Sequence, residues 1–275
     1  ICAIELDGHG TRARIRLGVA LDEDDVLALL GGSVVEETSV VWDAASGGVA
    51  AERQRRAGGV ILARAPVATD AAPDDAFASA LIAGLRTVGT DLLPWTAATR
   101  GLQARLQFVH RHRGGDWPAV DDDTLLAEAG ERIAPYLSGM RRRRDLRRID
   151  LDAVLFHGVA WDRRRALDDL APERVAVPSG NHHRVDYSVD PPVLAAKLQE
   201  LFGSTDTPTV LGGEVPVVLH LLSPAGRPLQ VTQDLASFWA GAYADVRSDM
   251  RGRYPKHPWP EDPTTAEATS RTKRR

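Results

Sequence analysis

Cysteine, lysine, aromatic residues and long apolar runs are scarce or missing in this chain of 275 residues. The single cysteine, Cys2, cannot form an intrachain disulfide, which excludes a disulfide-stapled secreted domain. No stretch approaches the roughly 20 consecutive apolar residues of a membrane span, so we expect no membrane partner and a cytoplasmic location. The chain also lacks an initiator methionine and starts inside a strand-like pattern, and we expect it to be a piece of a longer protein.

The motifs of common enzyme sites are missing as well. No G-x-x-x-x-G-K-[ST] phosphate loop and no G-x-S-x-G nucleophile turn occurs. Gly8–Ala13 formally matches the dinucleotide fingerprint G-x-G-x-x-A, but a strand-like pattern follows where a helix is required, so we interpret it as a hairpin turn. The close pairs His110/His112 and His182/His183 have no cysteine or paired carboxylate at ligand spacing. The sequence therefore predicts no catalytic residue, no metal site and no cofactor site within this chain.

Hydrophobic periodicity predicts an α+β chain of several domains. Residues 1–66 alternate apolar and polar positions in strand-like runs around one short helix, which fits a small β-barrel of the OB type. Residues 67–172 change to helical spacing with short connections, as in a helical bundle. Residues 173–262 return to a mixed α/β pattern, and residues 263–275 are predicted to be a disordered basic tail.

Two helices are predicted in the third of these regions. Leu194, Leu198 and Leu201 recur at helical spacing, which predicts a helix from Pro192 to Phe202. The segment from Asp234 to Met250, which contains Phe238, Trp239 and Tyr243, is also predicted to be mostly helical.

A run of arginines at Arg141–Arg148, here called the arginine cluster, holds six arginines and one aspartate in eight residues. Such density could neutralise several phosphates of a nucleic acid. The alternative is a solvated helix face whose charges pair with nearby aspartates, and the residues alone leave both interpretations open. The net charge of −4 argues against a generic polyanion binder. The candidate nucleic-acid ligands of the cluster are Arg141, Arg142, Arg143 and Arg144.

A second basic segment, Arg251–Pro263, is here called the strap. Its four prolines predict an extended path. Basic groups that alternate with aromatic rings are typical of single-strand nucleic-acid binding. The alternative, which composition alone favours, is that the segment packs its rings onto the body and binds nothing. The candidate ligands are Arg251, Arg253, Tyr254, Lys256, His257 and Trp259, together with Arg184 outside the strap.

Five blocks of sequence, taken in order, resemble one protein family. They are VPSG (177–180), LAAKLQELFG (194–203), VVLHLLSPAGRP (217–228), QVTQDLASFW (230–239) and RGRYPKHPWPEDP (251–263). Weaker blocks lie upstream, at 12–26, 41–43 and 93–95. Together they resemble the C-terminal region of the HrpB family of bacterial ATP-dependent helicases, which belongs to the DEAH/RHA class.

The resemblance implies a longer protein whose motor domains precede Ile1 and bind ATP and Mg²⁺. The phosphate loop, the DEAH box and the arginine finger of such motors are not among these residues, so the chain should not hydrolyse ATP by itself. In related helicases the OB-like and helical domains line the RNA path, which favours a nucleic-acid role for the strap. The expected partners are single-stranded RNA or DNA and the motor domains of the same protein. The alternative is a protein-interaction scaffold anchored by Tyr254 and Trp259.

Overall fold

The structure is a computed structural model that describes residues 2–7, 14–30, 33–68 and 72–271. The strands are β1 (Cys2–Asp7), β2 (Arg14–Val19), β3 (Val34–Asp43), β4 (Gly48–Ala57), β5 (Val60–Pro66), β6 (Arg174–Ala176), β7 (His182–Asp186), β8 (Val193–Lys197), β9 (Thr209–Val210), β10 (Val215–Pro216), β11 (Val218–Leu222) and β12 (Pro228–Thr232). The helices are α1 (Glu23–Leu30), α2 (Asp74–Val88), α3 (Ala97–Arg113), α4 (Asp122–Ala127), α5 (Ala129–Arg132), α6 (Leu151–Leu155), α7 (Trp161–Leu170), α8 (Leu235–Ala240) and α9 (Tyr243–Arg253). The predicted mixture of helices and strands is confirmed.

The chain divides into two compact units. Residues 1–94 and 126–149 form the first, and residues 95–125 and 150–275 form the second. Each unit contains both helices and sheets.

The first unit contains two antiparallel sheets, β1–β2 and β3–β4–β5. The predicted turn at Gly8–Ala13 and the side chain of Cys2 lie outside what the structure describes. The flanking residues Asp7 and Arg14 pair across β1 and β2, and a strand rather than a helix follows the turn. No closed barrel is formed by the strands in the described ranges of this unit.

Helix α2 packs on the three-stranded sheet of the first unit. Phe77, Leu81 and Leu85 form its buried face, as their helical spacing predicts. The indole of Trp42 on β3 lies directly against Gly84, so that any Cβ at this position would clash with the ring. The close approach of helix and sheet therefore requires a glycine at position 84.

The second unit is built around a five-stranded sheet in the order β12–β11–β8–β7–β6. Strands β8 and β11 run parallel, and the other neighbours are antiparallel. Val185, Leu194 and Leu219 are buried on one face, as the alternation of side chains along strands requires. Ala195, on the central strand, is exposed on the opposite face, where the neighbouring side chains of β8 and β11 are half-buried.

The helix predicted from Pro192 to Phe202 is wrong. Strand β8 occupies the first half, and a 3-10 turn at Leu198–Leu201 follows it. The carboxylate of Glu200 accepts a hydrogen bond from the Lys197 amide at 3.1 Å and closes this turn. A strand and a turn in sequence bury the three leucines together, which imitates helical spacing. The helices predicted between Asp234 and Met250 are confirmed by α8 and α9.

Residues 263–271 lie against the second unit, although their composition predicts a disordered tail. The Gly203 amide donates a hydrogen bond to the Pro263 carbonyl, and the Thr269 amide donates to the Gln199 carbonyl, both at 2.9 Å. Backbone hydrogen bonds of this kind do not depend on apolar side chains, so a hydropathy pattern does not reveal them. The last residues, 272–275, lie outside the described ranges.

Candidate nucleic-acid interface

The arginine cluster forms a 3-10 turn in the first unit. The turn spans Arg143–Arg148 and buries Leu146, and it begins where the carboxylate of Asp145 accepts the amides of Arg141 and Arg142, both at 3.0 Å. The alternative of a solvated helix face is compatible with this geometry, since the turn is a short helix of the tighter 3-10 type. The exposed side chains are Arg142, Arg143, Arg144, Arg147 and Arg148.

Asp145 is the only carboxylate within the run, and it serves to cap the turn. Partial desolvation would raise its pKa, but the amides of Arg141 and Arg142 and the charges of Arg148 and Arg144 lower the pKa below its ordinary value. The group therefore stays ionised at neutral pH and holds the turn through both hydrogen bonds. One negative charge among six positive charges leaves the cluster strongly basic.

Two arginines of the cluster have structural partners. The guanidinium of Arg141 pairs with Asp74 at 2.8 Å and lies 5.1 Å from the centre of the Phe77 ring. Arg143 donates a hydrogen bond to the Gly47 carbonyl at 3.3 Å. Arg141 therefore belongs to the packing of the first unit, and this corrects its place among the candidate ligands.

The remaining arginines carry the available charge. Arg142, Arg144, Arg147 and Arg148 form no ion pair with any carboxylate in the described part of the chain. In a 3-10 turn, residues three apart share a face and lie about 6 Å apart along the axis, which places Arg144 and Arg147 side by side. Both line a concavity of 310 Å³ that also contacts residues 91–94. The sequence signal for Arg147 was the run itself, but only the turn geometry pairs it with Arg144.

The strap places Trp259 inside the second unit rather than on its surface. The ring is only 7% exposed, and its Nε1–H donates to the Tyr254 carbonyl at 3.0 Å. Arg247 of α9 donates to the Trp259 carbonyl at 3.1 Å. A ring that is only 7% exposed offers little surface on which a base could stack, so in this structure Trp259 acts as an anchor of the strap.

The other aromatic groups of the strap are partly covered. His257 is half-buried, and burial together with the nearby charge of Lys197 lowers its pKa, so that the ring is neutral at pH 7. The Tyr254 ring meets the His257 ring edge-on with 6.2 Å between centroids. His257 is therefore not a cation of the strap at neutral pH.

The exposed cations of the strap are Arg251, Arg253 and Lys256. Arg253 pairs with Asp249, one turn earlier on α9, at 3.3 Å. Arg251 and Lys256 have no ion pair with a carboxylate that the structure describes. The strap therefore offers two unpaired charges, fewer than the cluster.

Arg184 precedes the buried Val185 on β7 and points to the opposite face of the sheet, where its guanidinium lies against Gly101 of α3. It stands directly across from Arg174 of β6, and its guanidinium is 3.5 Å from the carboxylate of Glu173. Like charges directly opposite on neighbouring strands destabilise a sheet, and here one carboxylate partly offsets two guanidiniums. Arg184 is thus exposed, as a ligand must be, but it lies in a different unit from the arginine cluster.

Within the described ranges, no group of three or more His, Cys, Asp or Glu side chains is arranged to hold a metal ion. In the same ranges, the structure contains no helix that is both long enough and apolar enough to span a membrane.

Two known families and one known protein are similar to this chain. A family described as "ATP-dependent helicase C-terminal" matches residues 132–263, and one described as "ATP-dependent RNA helicase HrpB, connector region" matches residues 33–67. The ATP-dependent RNA helicase HrpB of Escherichia coli K12 is 39% identical over 264 residues, which cover 95% of this chain and 32% of that protein.

Two solved structures share the fold. The crystal structure of the E. coli DExH-box NTPase HrpB superimposes with a TM-score of 0.73 at 37% identity, covering 98% of this chain and 34% of that one. The crystal structure of the E. coli DEAH/RHA helicase HrpB gives a TM-score of 0.63 at 37% identity, covering 82% of this chain and 29% of that one. The chain therefore spans about a third of the length of these relatives.

Proposed function

Because this chain belongs to the HrpB helicase family, as a C-terminal region of such a protein, we propose that it is an accessory, non-motor region that contacts single-stranded nucleic acid. In this proposal the motor domains of the same cytoplasmic protein hydrolyse ATP, and the accessory region holds the strand and regulates the motor. RNA and DNA are both candidates, because phosphate contacts do not distinguish them.

The arginine cluster carries this proposal. Arg142, Arg144, Arg147 and Arg148 are exposed and lie within ion-pair distance of no described carboxylate. The charge of Asp145 acts on Arg144 and Arg148, but its carboxylate is held by two backbone amides. Arginine binds phosphate with two parallel hydrogen bonds, and the planar group is weakly hydrated. A turn that presents neighbouring arginines on one face is therefore suited to a strand whose phosphates repeat along its length.

The binding experiment compares two variants that each remove two positive charges. The cluster variant is Arg144→Gln with Arg147→Gln, and the matched control is Arg251→Gln with Lys256→Gln in the strap. Affinity for a labelled single strand is measured from low to moderate salt. Each lost phosphate contact lowers the slope of log K against log salt by about 0.7, so we expect the cluster variant to lower the slope by about 1.4 and the strap variant to change it less.

The two variants also separate the alternatives. If the strap variant loses the salt dependence and the cluster variant keeps it, the strap is the interface and the cluster is a solvated surface. If the unmodified chain binds no single strand at low salt, the nucleic-acid proposal is refuted.

A second candidate function, a scaffold that docks the motor or a partner protein, is favoured by the two-stranded sheet of β1 and β2. Ile4, Ile15, Leu17 and Val19 are between 47 and 60% exposed on this sheet. Two strands with an uncovered apolar face are at best marginally stable in water, which favours a partner on that face. Co-purification with a separately produced HrpB motor region tests this, and Ile15→Asp with Leu17→Asp should abolish capture without changing the binding of single strands.

A further inference from the structure

One tryptophan of this chain, at the start of α7, is largely exposed to solvent. Trp161 is 73% exposed. The other five tryptophans are buried or partly covered: Trp42, Trp95, Trp117, Trp239 and Trp259. Tryptophan has the largest apolar ring among the side chains, so exposing it forgoes much favourable burial. The exposure of this one ring therefore requires an explanation.

Trp161 lines a groove between α3, α6 and α7 in the second unit. The groove has a volume of 490 Å³, which lies within the range of small-ligand sites. Leu102 and Phe156 contribute its apolar surface. Five of its ten lining residues are charged, three arginines and two aspartates. Aspartate is depleted at the buried centres of protein–protein interfaces, so the two aspartates disfavour a protein partner, although arginine and tryptophan are enriched there.

Two of the three arginines are held by the fold. Arg105 pairs with Asp168 and donates to the Ala171 carbonyl at 2.6 Å. Arg164 donates to two backbone carbonyls at 3.1 Å each, and its guanidinium lies 5.1 Å from the centre of the Phe156 ring. These two arginines therefore form fixed walls of the groove.

The third arginine of the groove is available to pair with a ligand. Arg165 is exposed and makes no ion pair or hydrogen bond with a residue that the structure describes. It follows Trp161 by four positions on α7, so the two side chains are neighbours on one helix face. Asp152 of α6 adds a carboxylate that could accept a hydrogen bond from an N–H group of a ligand.

We propose that this groove binds one nucleotide of a single strand, with the base stacked on Trp161 and the phosphate paired with Arg165. An exposed aromatic ring beside an unpaired cation is the combination by which single strands are held without sequence preference. In this proposal the carboxylate of Asp152, which also lines the groove, accepts a hydrogen bond from an exocyclic amino group of the base. This inference deepens the proposed function and depends on it, because the ligand is of the same class.

The experiment uses the purified chain with two probes, oligoadenylate and an abasic strand of equal length and charge. The variants are Trp161→Phe, which keeps an aromatic face, and Trp161→Leu, which keeps an apolar side chain without one. Leu29→Ala removes an apolar side chain with 71% exposure from α1, outside the groove, and serves as the matched control. Because each of these positions is largely exposed, the variants should fold.

We expect oligoadenylate to quench the fluorescence of the exposed tryptophan, and Trp161→Phe to bind within about threefold of the unmodified chain. Trp161→Leu should bind oligoadenylate between about fivefold and 150-fold more weakly, as expected for loss of one stacked base. Its affinity for the abasic strand should be unchanged. Arg165→Ala should lower the salt slope by about 0.7 on both probes.

The proposal is overturned if Trp161→Leu binds oligoadenylate like the unmodified chain, or if its loss is equal on the abasic strand. A groove that instead serves a protein partner would give the first of these results. Either result with cluster-dependent binding intact would refute this groove alone. If neither probe binds the unmodified chain, the proposed function fails as well.

Discussion

Replacing Trp259 by alanine should destabilise the second unit and leave the binding of single strands unchanged. The ring is 7% exposed and donates a hydrogen bond to Tyr254. Removing a buried tryptophan side chain costs about 3–5 kcal/mol. Trp259→Phe keeps most of the ring and loses the hydrogen bond, which should cost about 0.5–1.5 kcal/mol. At about 2–4 °C per kcal/mol for a unit of this size, the alanine variant should unfold roughly 6–20 °C earlier.

Thermal unfolding followed by tryptophan fluorescence and circular dichroism measures the shift. Hydrogen exchange at the Gly203 amide, which donates to the Pro263 carbonyl, reports whether the end of the strap detaches. The alanine variant should lose considerably more thermal stability than the phenylalanine variant. Salt-dependent binding of a single strand is measured on the same samples at a temperature where both are folded. If Trp259→Phe retained full stability and Trp259→Ala lost binding without losing stability, the ring would be a stacking platform and the strap interpretation would be refuted.

Two further predictions concern packing and pH. Gly84→Ala should destabilise the first unit by about 1–3 kcal/mol, because the added methyl group meets the indole of Trp42. The free energy of unfolding of this variant is measured by urea titration. In the same titration, Gly130→Ala on α5, where an added Cβ meets nothing within 4 Å, should leave that free energy unchanged or raise it. At Asp234, hydrogen bonds from the Ser237 side chain and amide lower the pKa in the folded state below 3.8, so the cap stabilises α8 fully above that value and is lost as pH falls through the lowered pKa. The unmodified chain should unfold at a higher urea midpoint than Asp234→Ala, and this difference should shrink in acid. A difference that grew in acid would contradict the assignment of Asp234 as the cap of α8.

Helix prediction succeeded where the signal is local. Phe77, Leu81 and Leu85 follow the 3.6-residue period of one buried helix face, and α2 buries all three. Asp234 can cap the helix that follows it from its own side chain, and the structure has this hydrogen bond at 2.9 Å. Signals of this kind lie within one or two turns of chain, so the sequence alone carries them.

Prediction failed where distant strands compete with the local pattern. Leu194, Leu198 and Leu201 have helical spacing, but β8 gains hydrogen bonds on both sides, from β7 and from β11. Those partners lie at different distances along the chain, and no local pattern reports that they will meet. The tail residues 263–271 are a similar case, because backbone hydrogen bonds to Gly203 and Gln199 hold a segment that has no apolar periodicity.

For the candidate interface, too, the sequence predicted one part and the tertiary structure decided the other. Composition located the arginine cluster and the strap, since charge density and proline content are properties of the sequence. The structure then assigned Arg141 to Asp74, buried Trp259 and left Arg144 and Arg147 on one face of a 3-10 turn. Trp161 was not singled out, although Arg164 and Arg165 occupy the positions one helical turn beyond it, where a buried ring would have apolar neighbours.

Residue types, charge density and short-range periodicity are encoded along the chain, and they determined the helices, the basic segments and the family blocks of this protein. Whether a side chain is available to a ligand is not encoded in this way, because groups from other parts of the fold can approach the side chain and pair with it. The six arginines of the cluster are chemically identical in sequence, and Asp74 and Gly47 distinguish two of them only after the first unit has folded. Burial and pairing are consequences of long-range packing, and they decide which of the charged and aromatic residues can meet a ligand.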